Sequence, residues 1–209
     1  TATGTGSNAG TIRTATRTFT SGASYIYNGT AAQVTGNGMP TAASAILNLT
    51  IANSAGVTLS GNASVTGTLR LTDGALGYGS STLTLANNAN IIRETGSLPS
   101  APTFGTTVHV TYAGSTAVSS GPELPVVTSI LGTLTNNNSG GVTLTATPTV
   151  NTRLTLNSGK IITGAFQINL ATSATVAGAS ASSYVEGAVQ KSFSTGSGQS
   201  VTFPIGDSA

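Results

Sequence analysis

Residues that could carry acid–base or metal chemistry are few and isolated in this sequence. Of the 209 residues, 5 are acidic, 1 is histidine and none is cysteine. The acidic residues are Asp73, Glu94, Glu123, Glu186 and Asp207. Polysaccharide-cleaving and calcium-binding sites need several carboxylates on one face, and none of these five has an acidic residue close to it in the sequence.

The single histidine does not complete a catalytic motif either. His109 lies in an alternating stretch between Val108 and Val110, which is typical of a solvated strand position. The sequence contains no nucleophile elbow, phosphate-binding loop or metal-ligand spacing. We therefore expect a protein that is not an enzyme, with no catalytic, cofactor-binding or metal-binding residues.

The composition favours an all-β fold. Apolar residues make up 38% of the chain, but charged residues only 6%, against roughly 25% in an ordinary globular domain. The polar residues are mainly Thr and Ser, and β-branched Thr suits pleated strands. The 27 glycines suit tight corners, and no amphipathic helix can be written anywhere.

The charge distribution argues against two classes of partner. The net charge is +2, and the basic residues are scattered singly, with Arg13 and Arg17 the nearest approach to a cluster. Nucleic-acid binding needs a clustered basic face, so we expect no nucleic-acid partner. No apolar run reaches the ~18 residues of a spanning helix, so we expect no membrane insertion.

A long internal repeat is the strongest pattern in the sequence. At an offset of 85 residues, positions 18–91 align with 103–176 without a gap, with 24 identities in 74 pairs. Tyr27 matches Tyr112, and most other identities are glycines or strand-forming apolar residues. The charged residues do not repeat. A repeat of this length indicates stacked or tandem architecture.

A shorter rhythm within each unit predicts the fold. The first unit has strand-like clusters at 47–51, 57–59, 68–71 and 82–85, separated by Gly, Asn, Ser and Asp. Related clusters return about every twenty residues, which predicts about four coils per 85-residue unit. We therefore predict a right-handed parallel β-helix (β-solenoid) of short strands, with tandem β-sandwich domains as the alternative.

The repeat also predicts boundaries along the chain. Residues 1–17 are expected to be an N-terminal lead-in strand or coil, 18–102 the first solenoid unit and 103–183 the second. Residues 184–209 diverge from the repeat and are expected to be a C-terminal cap or the start of a next domain. The least hydrophobic stretches, 30–38 and 115–123, are predicted to be loops or insertions.

Four segments resemble the repeat-rich secreted surface proteins of Bacteroidota. These segments are 23–36, 154–160, 182–189 and 201–207. The resemblance implies an extracellular or cell-surface location, export by type IX secretion, and a role as an adhesin or filament element. It brings no catalytic motif. We therefore expect a structural or adhesive element that associates with itself, in filaments, or with other surface proteins.

Surface glycans are the alternative partner, in a carbohydrate-binding module. Tyrosine rings bind sugars by stacking, and Tyr25, Tyr27 and Tyr112 lie near the openings of the two units. Corner packing is the competing explanation for the repeated pair Tyr27 and Tyr112. The C-terminal Asp-Ser-Ala resembles the short O-glycosylation motif of Bacteroidota, which indicates Ser208 as a modification site.

Overall fold

The computed structural model describes residues 22–40 and 45–207. The predicted lead-in at 1–17 and the predicted glycosylation site at Ser208 lie outside the described residues. Within them the secondary structure is entirely β, with no helix.

The described strands are β1 (Ser24–Tyr27), β2 (Gln33–Val34), β3 (Ile46–Ala52), β4 (Val57–Thr58), β5 (Ala63–Asp73), β6 (Leu76–Gly77), β7 (Leu83–Leu85), β8 (Ala89–Arg93), β9 (Thr103–Phe104), β10 (Val108–Gly114), β11 (Val118–Ser119), β12 (Leu131–Asn138), β13 (Val142–Thr143), β14 (Thr149–Val150), β15 (Arg153–Ser158), β16 (Ile161–Leu170), β17 (Thr175–Ala177) and β18 (Val185–Lys191).

The strands stack in parallel as a β-solenoid of about eight turns. A ten-stranded sheet runs along the molecule in the order β1-β3-β5-β8-β10-β12-β15-β17, with β7 and β9 attached through β5. A five-stranded sheet (β11, β13, β14, β16, β18) and a three-stranded sheet (β2, β4, β6) complete the coils. The predicted solenoid is confirmed. The tandem β-sandwich alternative is wrong, because sandwich sheets are antiparallel and every pairing between these strands is parallel.

The 85-residue repeat is a series of four unequal coils. One inward column of the long sheet contains Tyr25, Leu49, Leu69, Ile91, Val110, Leu134, Leu154 and Val176, each paired with the next. Successive members lie 24, 20, 22 and 19 residues apart, and the series then restarts with 24, 20 and 22. One round of four coils gives the 85-residue offset, so the sequence repeat and the structural register have the same origin.

The core lies inside the coils and consists mainly of stacked aliphatic side chains. Leu49, Leu69, Ile91, Leu134 and Leu154 are fully buried. Alternation within each strand directs every second side chain inward. The parallel register then places the apolar side chains of successive coils beside one another. Burial of one such leucine contributes about 1.5–3 kcal/mol.

The two stretches predicted to be loops also contribute to the stack. Within 30–38, β2 pairs in parallel with β4, and within 115–123, β11 pairs in parallel with β13. Both strands have only two residues, too few to show an alternating pattern in the sequence. The low hydrophobicity of these two stretches therefore does not exclude pairing within the coil.

The divergent C-terminal segment continues the parallel stack. Strand β18 pairs with β16, and Val185 forms a further parallel bridge with Ile205. Ser180 and Ser183 form an antiparallel bridge just before β18.

A buried asparagine and a glycine shape the same corner in both units. Asn53 and Asn138 are fully buried, and each side-chain amide donates to a carbonyl of the preceding coil, Ala31 O at 2.8 Å and Thr116 O at 2.8 Å. In the following coil Gly74 and Gly159 have φ of 72° and 70°. A Cβ on Gly74 would lie 1.8 Å from the Asn53 carbonyl oxygen, so this corner admits only glycine.

This corner gives the first prediction. Gly74→Ala is expected to lower the free energy of unfolding by roughly 3 kcal/mol or more, because both the φ and the backbone contact oppose a Cβ. Gly164→Ala is the matched control, since Gly164 has φ 58° but no atom within 4 Å of the added Cβ. We expect it to cost about 1–2 kcal/mol. Denaturant titrations followed by circular dichroism measure the free energy of unfolding of both variants. Equal losses would show that the contact between the added Cβ and the Asn53 carbonyl does not contribute.

Candidate functional site

The structure does not bring the three predicted glycan-contact tyrosines together. Tyr25 and Tyr27 point inward from β1 and are partly buried against the core, while Tyr112 lies on β10, four coils away, or roughly 19 Å. The Tyr112 ring is fully buried within β10 and presents no exposed face to a sugar. Glycan contact by Tyr25 and Tyr27 stays a prediction.

The most unusual site in the interior is a buried ion pair. Glu123 is fully buried, and its Oε1 lies 2.5 Å from Nη1 of Arg93. The same Oε1 accepts hydrogen bonds from the Tyr112 hydroxyl at 2.9 Å and from the Gly121 N–H at 2.8 Å. One carboxylate oxygen therefore joins β8, β10 and the corner after β11.

Of the remaining polar atoms of this cluster, some have hydrogen-bond partners and one has none. Arg93 donates through Nε to the Gly96 carbonyl at 2.9 Å. Glu123 Oε2 is buried and has no hydrogen-bond partner among the described residues. A Cβ on Gly121 would lie 2.7 Å from Oε2, so the corner closes tightly over the carboxylate. The cluster is buried, and its hydrogen bonds are made within the chain.

The ion pair joins the two units, and neither of its residues is repeated. At the 85-residue offset, Arg93 corresponds to Gly178 and Glu123 to Gly38, while Tyr112 corresponds to Tyr27. The pair lies where the first unit meets the second, since β8 ends one and β10 begins the other. Glu123 is isolated in the sequence because its partner Arg93 is 30 residues away along the chain. The available signal was an arginine at an inward position of an apolar strand.

The same environment perturbs nearby tyrosines. Burial raises the pKa of Tyr112 well above its ordinary value of 10.0, and the Glu123 carboxylate adds to the rise. Burial likewise raises the pKa of Tyr78, with Glu123 again the second cause. At the first coil, burial raises the pKa of Tyr27 to about 12, with a smaller contribution from Tyr25. All three hydroxyls are neutral at physiological pH.

Glu94 and Glu186 each pair with one basic side chain. Glu94 pairs with Arg70 at the surface, and Glu186 lies 3.3 Å from Lys160, whose ammonium is 5.1 Å from the centre of the Tyr184 ring. His109 is partly buried, and its Nδ1 has no partner within the described part of the chain. Residues 22–40 and 45–207 contain no group of three metal-ligating side chains. In the same residues no helix is long and apolar enough to cross a membrane.

The outward face of the ten-stranded sheet is a long polar surface. Its two central columns contain Ser24, Asn48, Thr68, Asn90, His109, Thr133, Arg153 and Thr175 on one side, and Ile26, Thr50, Arg70, Ile92, Thr111, Thr135, Thr155 and Ala177 on the other. Hydroxyl and amide groups dominate, and the charged residues vary from coil to coil. Such a face offers many weak hydrogen-bonding contacts rather than one shaped site.

The buried ion pair gives the second prediction. Arg93→Met leaves the Glu123 charge buried and unpaired, and is expected to lower the free energy of unfolding by about 3–5 kcal/mol. The double variant Arg93→Met/Glu123→Leu is expected to recover most of that loss. Arg70→Met is the surface control, with an expected cost below about 1 kcal/mol. Chemical denaturation measures all three, and a double variant as unstable as Arg93→Met would contradict the assignment.

The tyrosine pKa shifts give the third prediction. A raised pKa in the folded state means that the unfolded chain releases the proton first as pH rises. The contribution of these tyrosines to the free energy of unfolding is therefore fully present below about pH 10. It is lost as the pH rises through about 12. Tyrosinate absorbance and circular dichroism, followed together from pH 9 to 13, should show ionisation of Tyr27 and Tyr112 coinciding with unfolding. Tyr27→Phe is expected to make the loss of stability at alkaline pH shallower. An unchanged dependence of stability on pH would show that ionisation of Tyr27 does not contribute to it.

The comparisons with known proteins returned no relatives. No family model, no curated protein and no solved structure matches the chain. The geometry of the solenoid is therefore the basis for a functional interpretation.

Proposed function

We propose that this chain is a structural and adhesive element of an extracellular surface protein or filament, without catalytic activity. The observation that carries the proposal is the uninterrupted parallel ladder from β1 to β17 in one sheet. Main-chain hydrogen bonds run along the whole axis of the stack, so bending or stretching the molecule has to distort many bonds at once. This is the mechanical behaviour of a stiff spacer.

Side chains reinforce the ladder between coils. Asn136 donates to the Gly159 and Lys160 carbonyls of the next coil at 3.0 and 3.2 Å. Lys191 donates to three carbonyl oxygens of the preceding coil, those of Ala171, Thr172 and Ala174, at 2.6–2.8 Å. Corners that would otherwise leave carbonyls unpaired are thus tied to their neighbours, which stabilises the stack.

The surface chemistry supports exposure to an extracellular setting. The 209 residues contain 7 lysines and arginines, so trypsin-like proteases find few cleavage sites. Paired main chain through the strands removes further sites, since proteolysis needs an extended, accessible segment. Together with the resemblance to secreted Bacteroidota surface proteins, these features favour a location outside the cell and export by type IX secretion.

Adhesion is proposed to arise from many weak contacts along the rod. The outward columns of the long sheet present hydroxyl and amide groups at the ~4.8 Å spacing of the coils. Apolar side chains add to them at the corners, where Val126 and Val127 are each 56% exposed. Self-association and contact with other surface proteins use this same combination of low charge and exposed apolar groups.

Cell-surface display tests the proposal. Cells of a non-adherent host that display the chain are expected to aggregate or adhere several-fold more than cells that display an unrelated domain. Gly74→Ala, displayed at equal density, is the matched control, because it weakens the stack without changing the outward face. Equal adhesion by the wild type and by Gly74→Ala, at a temperature where circular dichroism shows only Gly74→Ala to be unfolded, would show that the folded rod is not responsible. Absence of any gain, or turnover of a polysaccharide by the purified chain, would overturn the proposal.

A further inference from the structure

We propose that the outward face of β10, β12 and β15 binds an acidic polysaccharide. The Arg153 guanidinium contacts a carboxylate of the polymer, and the neighbouring threonine side chains contact its hydroxyl groups. This inference rests on the proposed adhesive function, since it names the class of partner and the surface that adhesion would use.

Arg153 is a cation without a partner on this face. Its side chain is exposed, and no hydrogen bond or ion pair joins it to another side chain in residues 22–40 and 45–207. The other arginine in the outward columns, Arg70, is paired with Glu94. Of the two arginines, Arg153 is therefore the one whose charge is available to an external carboxylate.

Threonine side chains surround this arginine. Thr133 and Thr175 lie opposite Arg153 in the neighbouring coils, and Thr155 lies two residues further along its own strand. The Cα atoms of the first two are roughly 4.8 Å from that of Arg153, and that of Thr155 is roughly 6.6 Å away. The hydroxyls of Thr133 and Thr155 have no hydrogen-bond partner within the described part of the chain. A hydroxyl both donates and accepts, so these two can bind the hydroxyl groups of a sugar chain.

Polar groups at the N-terminal end of the same face are paired with one another. Asn48 donates to the Ser24 hydroxyl at 2.9 Å and accepts from the Thr68 N–H at 2.9 Å. The Arg70 charge is used by Glu94. The free guanidinium and the free hydroxyls lie at the other end of the face, which locates the proposed site there.

His109 extends the column that contains Arg153. The two residues are two coils apart, or roughly 9.6 Å, with Thr133 between them. A Cβ on Gly132 would lie 2.8 Å from Cε1 of His109, so the ring lies against the backbone of the next coil. Its Nδ1 is buried in this position. Nε2 is therefore the ring nitrogen that can reach a bound sugar.

The charges favour an acidic partner of low charge density. Strands β10, β12, β15 and β17 contain no Asp or Glu, so no carboxylate of these strands repels an anion. Arg153 lies four coils from Arg70, or roughly 19 Å, so the face suits widely spaced carboxylates. DNA has one charge per ~1.7 Å and binds clustered basic residues, which this face does not have. A polysaccharide with carboxylates among many hydroxyl groups fits both the charge and the hydroxyls.

Polygalacturonate is the probe for this site, and its methyl ester is the matched neutral ligand, because the two polymers share a backbone and differ in charge. Biolayer interferometry on the immobilised polymers measures binding of the purified chain. We expect the acid to bind about fivefold more tightly than the ester. Equal binding of the two polymers, or binding of neither, would overturn the inference. Tighter binding to double-stranded DNA would also overturn it, by assigning the face to a nucleic acid.

Substitution of Arg153 tests the charge. Arg153→Gln is expected to abolish the preference for the acid, because the bidentate contact with a carboxylate is lost. Arg153→Lys keeps the charge without the planar fork and is expected to retain part of the preference. Lys160→Gln is the matched control, since it changes the net charge equally but replaces a side chain that pairs with Glu186 beside the five-stranded sheet. Equal losses for Arg153→Gln and Lys160→Gln, both folded by circular dichroism, would contradict a site at Arg153.

Paired valine substitutions test the hydroxyls. Thr133→Val/Thr155→Val removes two hydroxyls and keeps the β-branched shape. Binding of both polymers is expected to weaken at least about fivefold, because both polymers have the hydroxyl groups that these side chains contact. Thr84→Val/Thr103→Val is the matched control, a pair in adjacent coils on β7 and β9. We expect this control to bind like the wild type, and equal weakening by the two double variants would place the contact elsewhere.

The outcomes separate this inference from the proposed function. Adhesion of displaying cells that is the same for the wild type and for Arg153→Gln, without binding of polygalacturonate by the purified chain, would end the inference and leave the adhesive role intact. Conversely, Arg153-dependent binding of polygalacturonate without adhesion or aggregation of displaying cells would support the site and contradict the adhesive role.

Discussion

The parallel register between successive coils is the constraint on which the rest of this structure depends. Each coil has to return to the same inward columns after one turn, whatever its length. The corners satisfy this requirement locally: Gly74 and Gly159 adopt positive φ against the carbonyls of Asn53 and Asn138, whose side chains bind the previous coil. Coil length can then vary from 19 to 24 residues because the corners absorb the difference.

The register also explains where charge is tolerated. Arg93 lies at a buried, inward position of its strand, so its charge needs a partner that the fold brings close to it. Arg93 finds Glu123 from the next coil, and the Tyr112 hydroxyl completes the cluster. At the 85-residue offset Arg93 matches Gly178 of the second unit and Glu123 matches Gly38 of the first, so neither charge is repeated. The place of the ion pair between the two units is consistent with a role in fixing their register.

Much of the fold was predictable from the sequence because it depends on periodicity. The 85-residue offset and the apolar clusters predicted parallel coils, and the structure confirms them. The short strands β2 and β11 were not predictable, since two residues cannot show alternation. The Arg93–Glu123 contact was hidden because it joins residues from different coils, which only the three-dimensional register brings together. Tyr112 was ambiguous for a related reason: a repeated aromatic residue fits both a binding platform and a packed corner until its burial is known.

Amide hydrogen exchange across the junction of the two units tests the central claim, that one continuous stack runs through the chain, most directly. Continuous stacking predicts that β8 and β10 exchange as slowly as β5 and β12, because their main chains are paired on both edges. Fast exchange at β8 and β10, with slow exchange on either side, would show two separate units joined in tandem and would contradict the account.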